Sequence, residues 1–268
     1  MKTDGAQTLE FWKYHGAGND FIIIDNRTMK LELQPSLVQL LCDRHLGIGA
    51  DGLISIEDAE SADFRMVYFN SDGYEGSMCG NGGRSAAAFA VERGIASAHC
   101  RFHAYDGIHE AWTEKHTNGV FHVRLSMSDV TKFTDTAGGL LIDTGSPHFV
   151  TKVENVEMID VKTTGSRIRY DKTISEKGVN VNFVQCKGSM LMVRTYERGV
   201  EAETLSCGTG VTASAIANYL WNGQEQSEIH TKGGILRVSL RKSDNRFTNI
   251  FLEGPVQEVY NGAINVYV

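Results

Sequence analysis

Cys79-Gly-Asn-Gly82 decides how this chain is read, because the chain writes it a second time as Cys207-Gly-Thr-Gly210. Each copy opens a run of small and apolar residues, Arg84-Ser-Ala-Ala-Ala-Phe-Ala-Val91 in the first and Val211-Thr-Ala-Ser-Ala-Ile-Ala217 in the second. The two cysteines lie 128 positions apart, and the same offset carries Phe21 onto Phe149. Gly16-Ala-Gly-Asn-Asp-Phe21 thereby aligns with Thr144-Gly-Ser-Pro-His-Phe149. Two anchors at one offset argue for a duplicated unit of ordinary domain size, roughly 120–130 residues.

Outward from each anchor, the order of elements repeats. In the first half, residues 9–15 and 20–25 are short β-rich runs, with a loop expected at 16–20, where glycine, Asn and Asp accommodate tight turns. Apolar residues at 37, 38, 40 and 41, with Pro35 in the first turn, predict a helix over 35–45. Residues 53–56 and 64–69 read as strands, and 70–76 as a polar loop leading into Cys79. A helix over about 80–92 follows, closed by Gly94; its centre carries almost no charge, so it is expected to be buried on most sides. Alternating runs at 101–105, 110–113 and 119–125 are strands, with Asn118-Gly119 as a hairpin signal.

The polar segment 126–139 is the expected crossing between halves. Strands are then expected at 140–143, 149–153, 179–185 and 190–196, with a loop over 197–203. The second helix runs from Gly208 to about Asn222-Gly223, and 235–240, 247–252 and the tail from 256 are strand-like. Many strands and one buried helix per half make an α+β chain with mostly antiparallel connections. The domains fall at 1–125, with the returning tail 256–268, and at 126–255.

Composition excludes several classes. The chain has 268 residues, 41% of them hydrophobic and 9% aromatic, enough for a full core in each half. A net charge of -7 and a pI near 5.7 argue against a nucleic-acid partner, which wants a basic face. No apolar run reaches the length that spans a membrane, and residues 1–8 lack the apolar core of a secretory signal. Five cysteines, odd in number and with no Cys-x-x-Cys pair, fit reduced cytoplasmic thiols better than disulfides or a zinc site.

The chemistry follows from where two of those cysteines stand. A cysteine just before a helix sits at the positive end of the macrodipole, beside N–H groups without helical partners. Both effects stabilise thiolate, and the same N–H groups attract a carboxylate. Two pseudo-symmetric starts suggest a substrate carbon held between two sulfurs, one taking a proton and the other giving one from the opposite face. That arrangement inverts a stereocentre bearing an acidic C–H. It requires one thiolate and one thiol, so the pair titrates as a coupled unit with a bell-shaped rate profile. Cys42, Cys100 and Cys186 have no such context and read as small core residues.

A reading from another class competes. Gly208-Thr-Gly-Val-Thr-Ala213 fits G-x-G-x-x-A, the dinucleotide fingerprint, although no acidic-ended second strand follows at the usual distance. Serine hydrolase chemistry has no G-x-S-x-G here, and no lysine stands in the context a pyridoxal phosphate Schiff base needs.

The motifs together resemble the diaminopimelate epimerase family, cofactor-independent two-cysteine enzymes of lysine and cell-wall biosynthesis. The resemblance runs from His15-Gly-Ala-Gly-Asn-Asp-Phe21 through Phe69-Asn-Ser-Asp-Gly73, Cys79-Gly-Asn-Gly82, Gly145-Ser-Pro-His148, Val179-Asn-Val-Asn-Phe183 and Tyr196-Glu-Arg-Gly199 to Cys207-Gly-Thr-Gly210. It implies two pseudo-symmetric domains, each a curled, mostly antiparallel sheet around a central helix, with the active site in the cleft between them. It implies no cofactor and no metal, diaminopimelate as substrate, a homodimer with Tyr260 at the contact, and a cytoplasmic enzyme. Cys79 and Cys207 then match the acid/base pair, and His148 and Glu197 match residues near the reacting centre that could hold the α-ammonium and tune the thiols. Gly80, Asn81, Gly208 and Thr209 would grip the α-carboxylate through backbone N–H groups. Asn19, Asn70, Ser146, Asn180, Glu197 and Arg198 match substrate contacts, Arg198 through a bidentate fork on the distal carboxylate.

Three positions depart from the family. Ser146 stands where most members have asparagine, so one distal hydrogen bond is expected to be shorter, water-mediated or lost. Gly52 stands where many have a substrate-contacting glutamine, and Ser85 where a further cysteine is common. A two-cysteine racemase of another amino acid, such as histidine, is the alternative within the enzyme class.

Overall fold

The computed structural model describes residues 6–267, so expectations for residues 1–5 and 268 lie outside the described residues. The described chain divides into two compact units, one of residues 6–16, 20–123 and 256–267 and one of residues 17–19 and 124–255. Residues 17–19 therefore group with the second unit, not with the first half of the sequence. The reason is steric: Gly18 lies against the Leu205 side chain and Gly233, and a side chain at 233 would run into the Ala17 carbonyl.

The first unit contains β1 (Ala6–Gly16), β2 (Asn19–Asp25), α1 (Pro35–Cys42), β3 (Gly52–Glu57), β4 (Phe64–Asn70), α2 (Gly80–Glu92), β5 (His99–Ala104), β6 (Gly107–Lys115) and the start of β7 (Phe121–Met127). These strands neighbour one another in chain order, and the ring closes because the last strand of the chain pairs antiparallel with β1, from Ala6↔Tyr267 to Gly16↔Val256. Most pairings are antiparallel, while β2–β3 and β4–β5 are parallel.

Why the sheet curls around α2 is legible in β1 and β2. Phe21-Ile-Ile-Ile24 is apolar throughout because both faces of β2 are covered. On β1, Leu9 and Phe11 join a core with Val38 and Leu41 of α1, whereas Trp12 and Tyr14 contact Phe89 of α2, at centroid distances of 5.1 and 6.0 Å. The period of two along the strand thus serves two helices on opposite faces. A fully buried side chain such as Phe89 contributes about 1.5–3 kcal/mol over leaving it exposed. Helix α2 is buried at every position from Gly80 to Ala90, as the uncharged run from Ser85 onward leads one to expect, and Arg84 is buried with it.

The second unit contains β8 (Phe133–Thr136), β9 (Gly139–Asp143), β10 (Pro147–Lys152), α3 (Val161–Arg169), β11 (Asn180–Lys187), β12 (Met190–Glu197), β13 (Ala202–Thr204), α4 (Gly208–Asn222), β14 (Gln226–Thr231), β15 (Gly234–Ser243) and the first part of β16 (Arg246–Tyr267). Its strands run β16-β15-β14-β12-β11-β10-β9-β8, with β13 paired to β12. The same division of faces recurs. Val181 and Phe183 of β11 and Tyr196 of β12 pack with Val161 of α3, while Asn182 between them touches Gly210 of α4. Helix α4 is buried from Gly208 to Asn218.

Several local expectations need correction. The loop at 16–20 shrinks to a two-residue turn, Ala17 and Gly18 both taking left-handed φ of 52° and 82°, the geometry of a tight hairpin turn. The helix at 35–45 ends at Cys42, because the Asp43 carboxylate draws the N–H groups of His45 and Leu46 into a turn. The segment 126–139 contains β8, α3 lies between the strands expected at 149–153 and 179–185, and the loop expected at 197–203 keeps a turn at 198–201 but ends in β13. Strand β14 has no counterpart in the sequence reading, and the two runs at 247–252 and from 256 form one strand, β16. The strands that flank β13 and α4, β12 and β14, are parallel, but each has an antiparallel neighbour, β11 and β15, so the glycines of 208–213 stand in a mixed sheet and not in the all-parallel one of a doubly wound fold.

Candidate active site

In the first unit, Cys79 is the N-cap of α2. Its backbone is extended (φ -107°, ψ 114°) and its Sγ accepts the Gly82 N–H at 3.4 Å. No acidic side chain occupies the first turn of α2, so the positive helix end is left for an anion. Asn81 is fully buried, and its Oδ1 accepts from Arg84 Nη2 at 2.8 Å while Nη1 of the same guanidinium donates to the Gly80 carbonyl at 3.2 Å. Arg84, which the sequence reading passed over, is thus a buried cation folded back on the first turn of its own helix. Burial pushes its pKa down to about 10, and the negative charge of a Cys79 thiolate acts in the opposite direction. Gly16 of β1 is required beside it, since a Cβ there would lie 3.1 Å from the Asn81 carbonyl and 3.3 Å from Arg84 Nη2.

Asn70 ends β4, opposite Gly52 on β3. A Cβ at Gly52 would fall 2.5 Å from Cε2 of Tyr68 and 2.6 Å from the Phe69 carbonyl. Tyr68 therefore fills the space into which a longer side chain at position 52 would grow.

In the second unit, Cys207 is the N-cap of α4, again extended (φ -123°, ψ 113°), with no acid in the following turn. Its Sγ lies 3.5 Å from Thr209 Oγ1, and the Thr209 carbonyl accepts the Thr144 hydroxyl at 3.0 Å. His148 is fully buried on β10, not placed in a loop, and both ring nitrogens have protein partners. Nε2 bonds Thr209 Oγ1 at 3.0 Å and Nδ1 bonds the Asn182 amide nitrogen at 2.9 Å, whose Oδ1 accepts from Thr195 Oγ1 at 2.9 Å. Burial, and then the nearby Arg198 charge, push His148 down to about 3, so it is a neutral imidazole at ordinary pH.

Asn180, the first residue of β11, ties the rest together. Its amide nitrogen donates to Ser146 Oγ at 2.7 Å and its Oδ1 accepts the Arg198 N–H at 2.8 Å. The shorter side chain at Ser146 thus meets Asn180 directly. Arg198 also donates from Nη1 to the Gly178 carbonyl at 3.2 Å, and Glu197 sits at the end of β12, its carbonyl accepting the Glu201 N–H at 2.8 Å. Asn19 opens β2, with its neighbours 17 and 18 grouped in this unit. Asn180 and Asn182 alternate in sequence with Val179, Val181 and Phe183, which sets them on the face opposite those side chains but does not name their partners. Thr195 carried no such signal, because only the β11–β12 register sets it opposite Asn182.

The remaining cysteines are structural. Burial pushes the Cys42 and Cys100 thiols up to about 12, far from the ionisation an acid/base group needs, and raises that of Cys186 as well. No helix among the described residues is long and apolar enough to cross a membrane.

The model of the diaminopimelate epimerase family matches residues 11–132 and 140–259. The chain is 45% identical to a diaminopimelate epimerase of Flavobacterium psychrophilum, over 96% of this chain and 100% of that protein. It is 43% identical to that of Chlorobaculum tepidum, over 94% and 99%. Among solved structures, a Bacillus anthracis phenazine biosynthesis protein of the PhzF family superposes with a TM-score of 0.77 at 16% identity, covering 97% of this chain and 100% of that one. A hydroxyproline epimerase from Agrobacterium vitis gives 0.70 at 11% identity, over 97% and 93%. At such low identity these two speak for the fold alone, whereas the full-length match to the family and its enzymes is decisive: this chain belongs to the diaminopimelate epimerase family.

Proposed function

We propose that the chain epimerises diaminopimelate at one α-carbon, converting the LL and meso isomers by proton transfer between two sulfurs. The observation that carries this reading is the repeated device. Two cysteines cap two buried helices, and neither helix carries an acid in its first turn. One sulfur, as thiolate, takes the α-hydrogen; the other, as thiol, returns a proton to the opposite face, and the roles exchange with reaction direction. Backbone N–H groups at Gly80-Asn81 and Gly208-Thr209 hold the α-carboxylate and offset the charge that develops as the C–H bond breaks. With both nitrogens of His148 engaged, Glu197 is the better group for the α-ammonium. Arg198, with Asn19, Asn70, Asn180 and Ser146, recognises the distal end, which selects diaminopimelate from other amino acids, histidine included.

Within the family pattern the enzyme is cytoplasmic, uses no cofactor and acts as a homodimer. Tyr260, 45% exposed, packs edge-on to Phe11 at 6.0 Å and leaves the rest of its ring for that contact. Incubation with LL-diaminopimelate in D2O tests the function. One α-hydrogen exchanges and meso isomer accumulates, while Cys79→Ala and Cys207→Ala each abolish net turnover. Absence of exchange in reduced, folded protein, or exchange with histidine instead, defeats the assignment.

A further inference from the structure

Four side chains behind Cys207 form a continuous hydrogen-bonded line. Thr195 of β12 bonds Asn182 of β11, Asn182 bonds Nδ1 of His148 on β10, and Nε2 of His148 bonds the hydroxyl of Thr209, 3.5 Å from Cys207 Sγ. Thr195, Asn182 and His148 are no more than 4% exposed. The direction of the line turns on the Asn182 amide. Its oxygen lies against the first turn of α4, since a Cβ on Gly210 would meet Asn182 Oδ1 at 2.5 Å. An amide oxygen belongs at that positive helix end and an NH2 group does not. The amino end then faces Nδ1, which must accept, so the ring proton is on Nε2 and is donated to Thr209. The Thr209 oxygen, having accepted, keeps its own hydrogen for the sulfur.

We propose that Asn182 and Thr195 are positioning residues of the site: they fix His148 as the Nε2–H tautomer, so that the Thr209 hydroxyl donates to Cys207 Sγ and favours its thiolate. The acid/base role of Cys207 in this proposal rests on the function proposed above. Few charges compete with the line. Helix α4 has no acidic or basic side chain, Arg198 is the charge acting on His148, and Arg194 of β12 is bound to Glu203 at 2.6 Å. On β14, Glu228 is held by His230 at 2.9 Å, and on β10 the Lys152 ammonium lies over Trp221.

The intact chain labelled with 15N-histidine gives the tautomer directly: His148 shows a protonated Nε2 and an unprotonated, accepting Nδ1. A protonated Nδ1 in the wild-type protein overturns the proposal, whatever the variants do. The second readout is the pH dependence of iodoacetamide labelling at each cysteine, resolved by peptide mass spectrometry between about pH 6 and 10. Thr195→Val slows labelling of Cys207 at neutral pH by about tenfold, one pKa unit's worth, leaves Cys79 unmoved, and is rescued by Thr195→Ser. Asn182→Asp, whose carboxylate cannot donate to Nδ1, moves the ring proton to Nδ1 and produces the same loss at Cys207. In the epimerase assay both variants lower kcat with KM within about twofold of wild type. Folded variants with an unchanged Cys207 profile sink the idea. Neither structural readout uses substrate, so a failed D2O exchange would remove the proposed function and leave this test standing.

Discussion

At the residue scale, burial decides what His148 can be. An imidazole at the edge of a solvated pocket titrates near 6.5, but this one is enclosed beside Arg198 and is pushed down to about 3. In the unfolded chain it takes up a proton as the pH falls through its ordinary value, whereas in the folded protein it stays neutral. Its contribution to stability is therefore fully present above about pH 6.5 and is lost as the pH falls toward 3. His15 is lowered too, by burial against the pull of Asp20, so the raw slope belongs to more than one group. Asp20 loses stability only at lower pH: burial raises it, but hydrogen bonds from Arg44 and Lys13 hold it well below the usual carboxylate range. The expected outcome is a difference between proteins. Between pH 6.5 and 4, His148→Gln flattens the decline in unfolding free energy by up to about 1.4 kcal/mol per pH unit, measured by urea denaturation. Parallel curves for the two proteins contradict the neutral, buried assignment.

At the scale of the element, glycines separate backbone strain from lack of space. Gly94 and Gly223 end α2 and α4 in left-handed conformations, φ 67° and 71°, with nothing near enough for a Cβ to meet. Alanine at either costs about 1 kcal/mol of strain and changes no packing. Gly165 of α3 differs, because a Cβ there would lie 2.5 Å from Cβ of Tyr196, an atom fixed to the β12 backbone. The whole helix would have to lift, so Gly165→Ala is expected to cost about 1–3 kcal/mol and to loosen the core around Val161 and Phe183. Thermal melts of the three variants rank them: a Gly165→Ala midpoint no lower than the other two shows that α3 sits less tightly on β12. The same geometry gives Gly210→Ala a functional cost, since its methyl displaces Asn182 and with it the ring orientation of His148.

At the scale of the whole molecule, the end of the chain completes its beginning. Residues 256–267 pair with β1 along its full length, and Glu258 accepts from Tyr14 Oη and from Arg93, each at 2.9 Å. A chain stopped at Pro255 leaves β1 with a free hydrogen-bonding edge and Tyr14 buried without its acceptor, a loss of about 1–3 kcal/mol for that group alone. Hydrogen exchange on the truncated protein is expected to show protection lost across β1 and β2 and kept in β11 and β12. Uniform protection in both units counts against a first unit closed by its own C-terminus.

Much of this was legible in the chain. The repeated Cys-Gly-x-Gly starts named both helices with their ends, since a run of Gly, Ala and Ser without charge can be buried on all sides and glycine ends it. The same starts named Cys79 and Cys207, and the flanking motifs named the family. Short pieces were less legible: α3 is polar overall with a glycine at its centre, β13 is three residues long, and composition marks a turn within 16–20 without fixing it at Ala17 and Gly18. Arg84, Asn182 and Thr195 were missed for a common reason. A polar residue in an apolar run is ambiguous until its partner is known: Arg84 folds back on Asn81 and Gly80 of its own buried helix, and the β11–β12 register sets Thr195 opposite Asn182. Sequence by itself determined the fold class, the family and the two cysteine-led helix starts, because these follow from local residue chemistry. Only the tertiary structure decided the charge state of His148 and the direction of its hydrogen bonds, because burial and hydrogen-bond partnership are properties of what surrounds a residue.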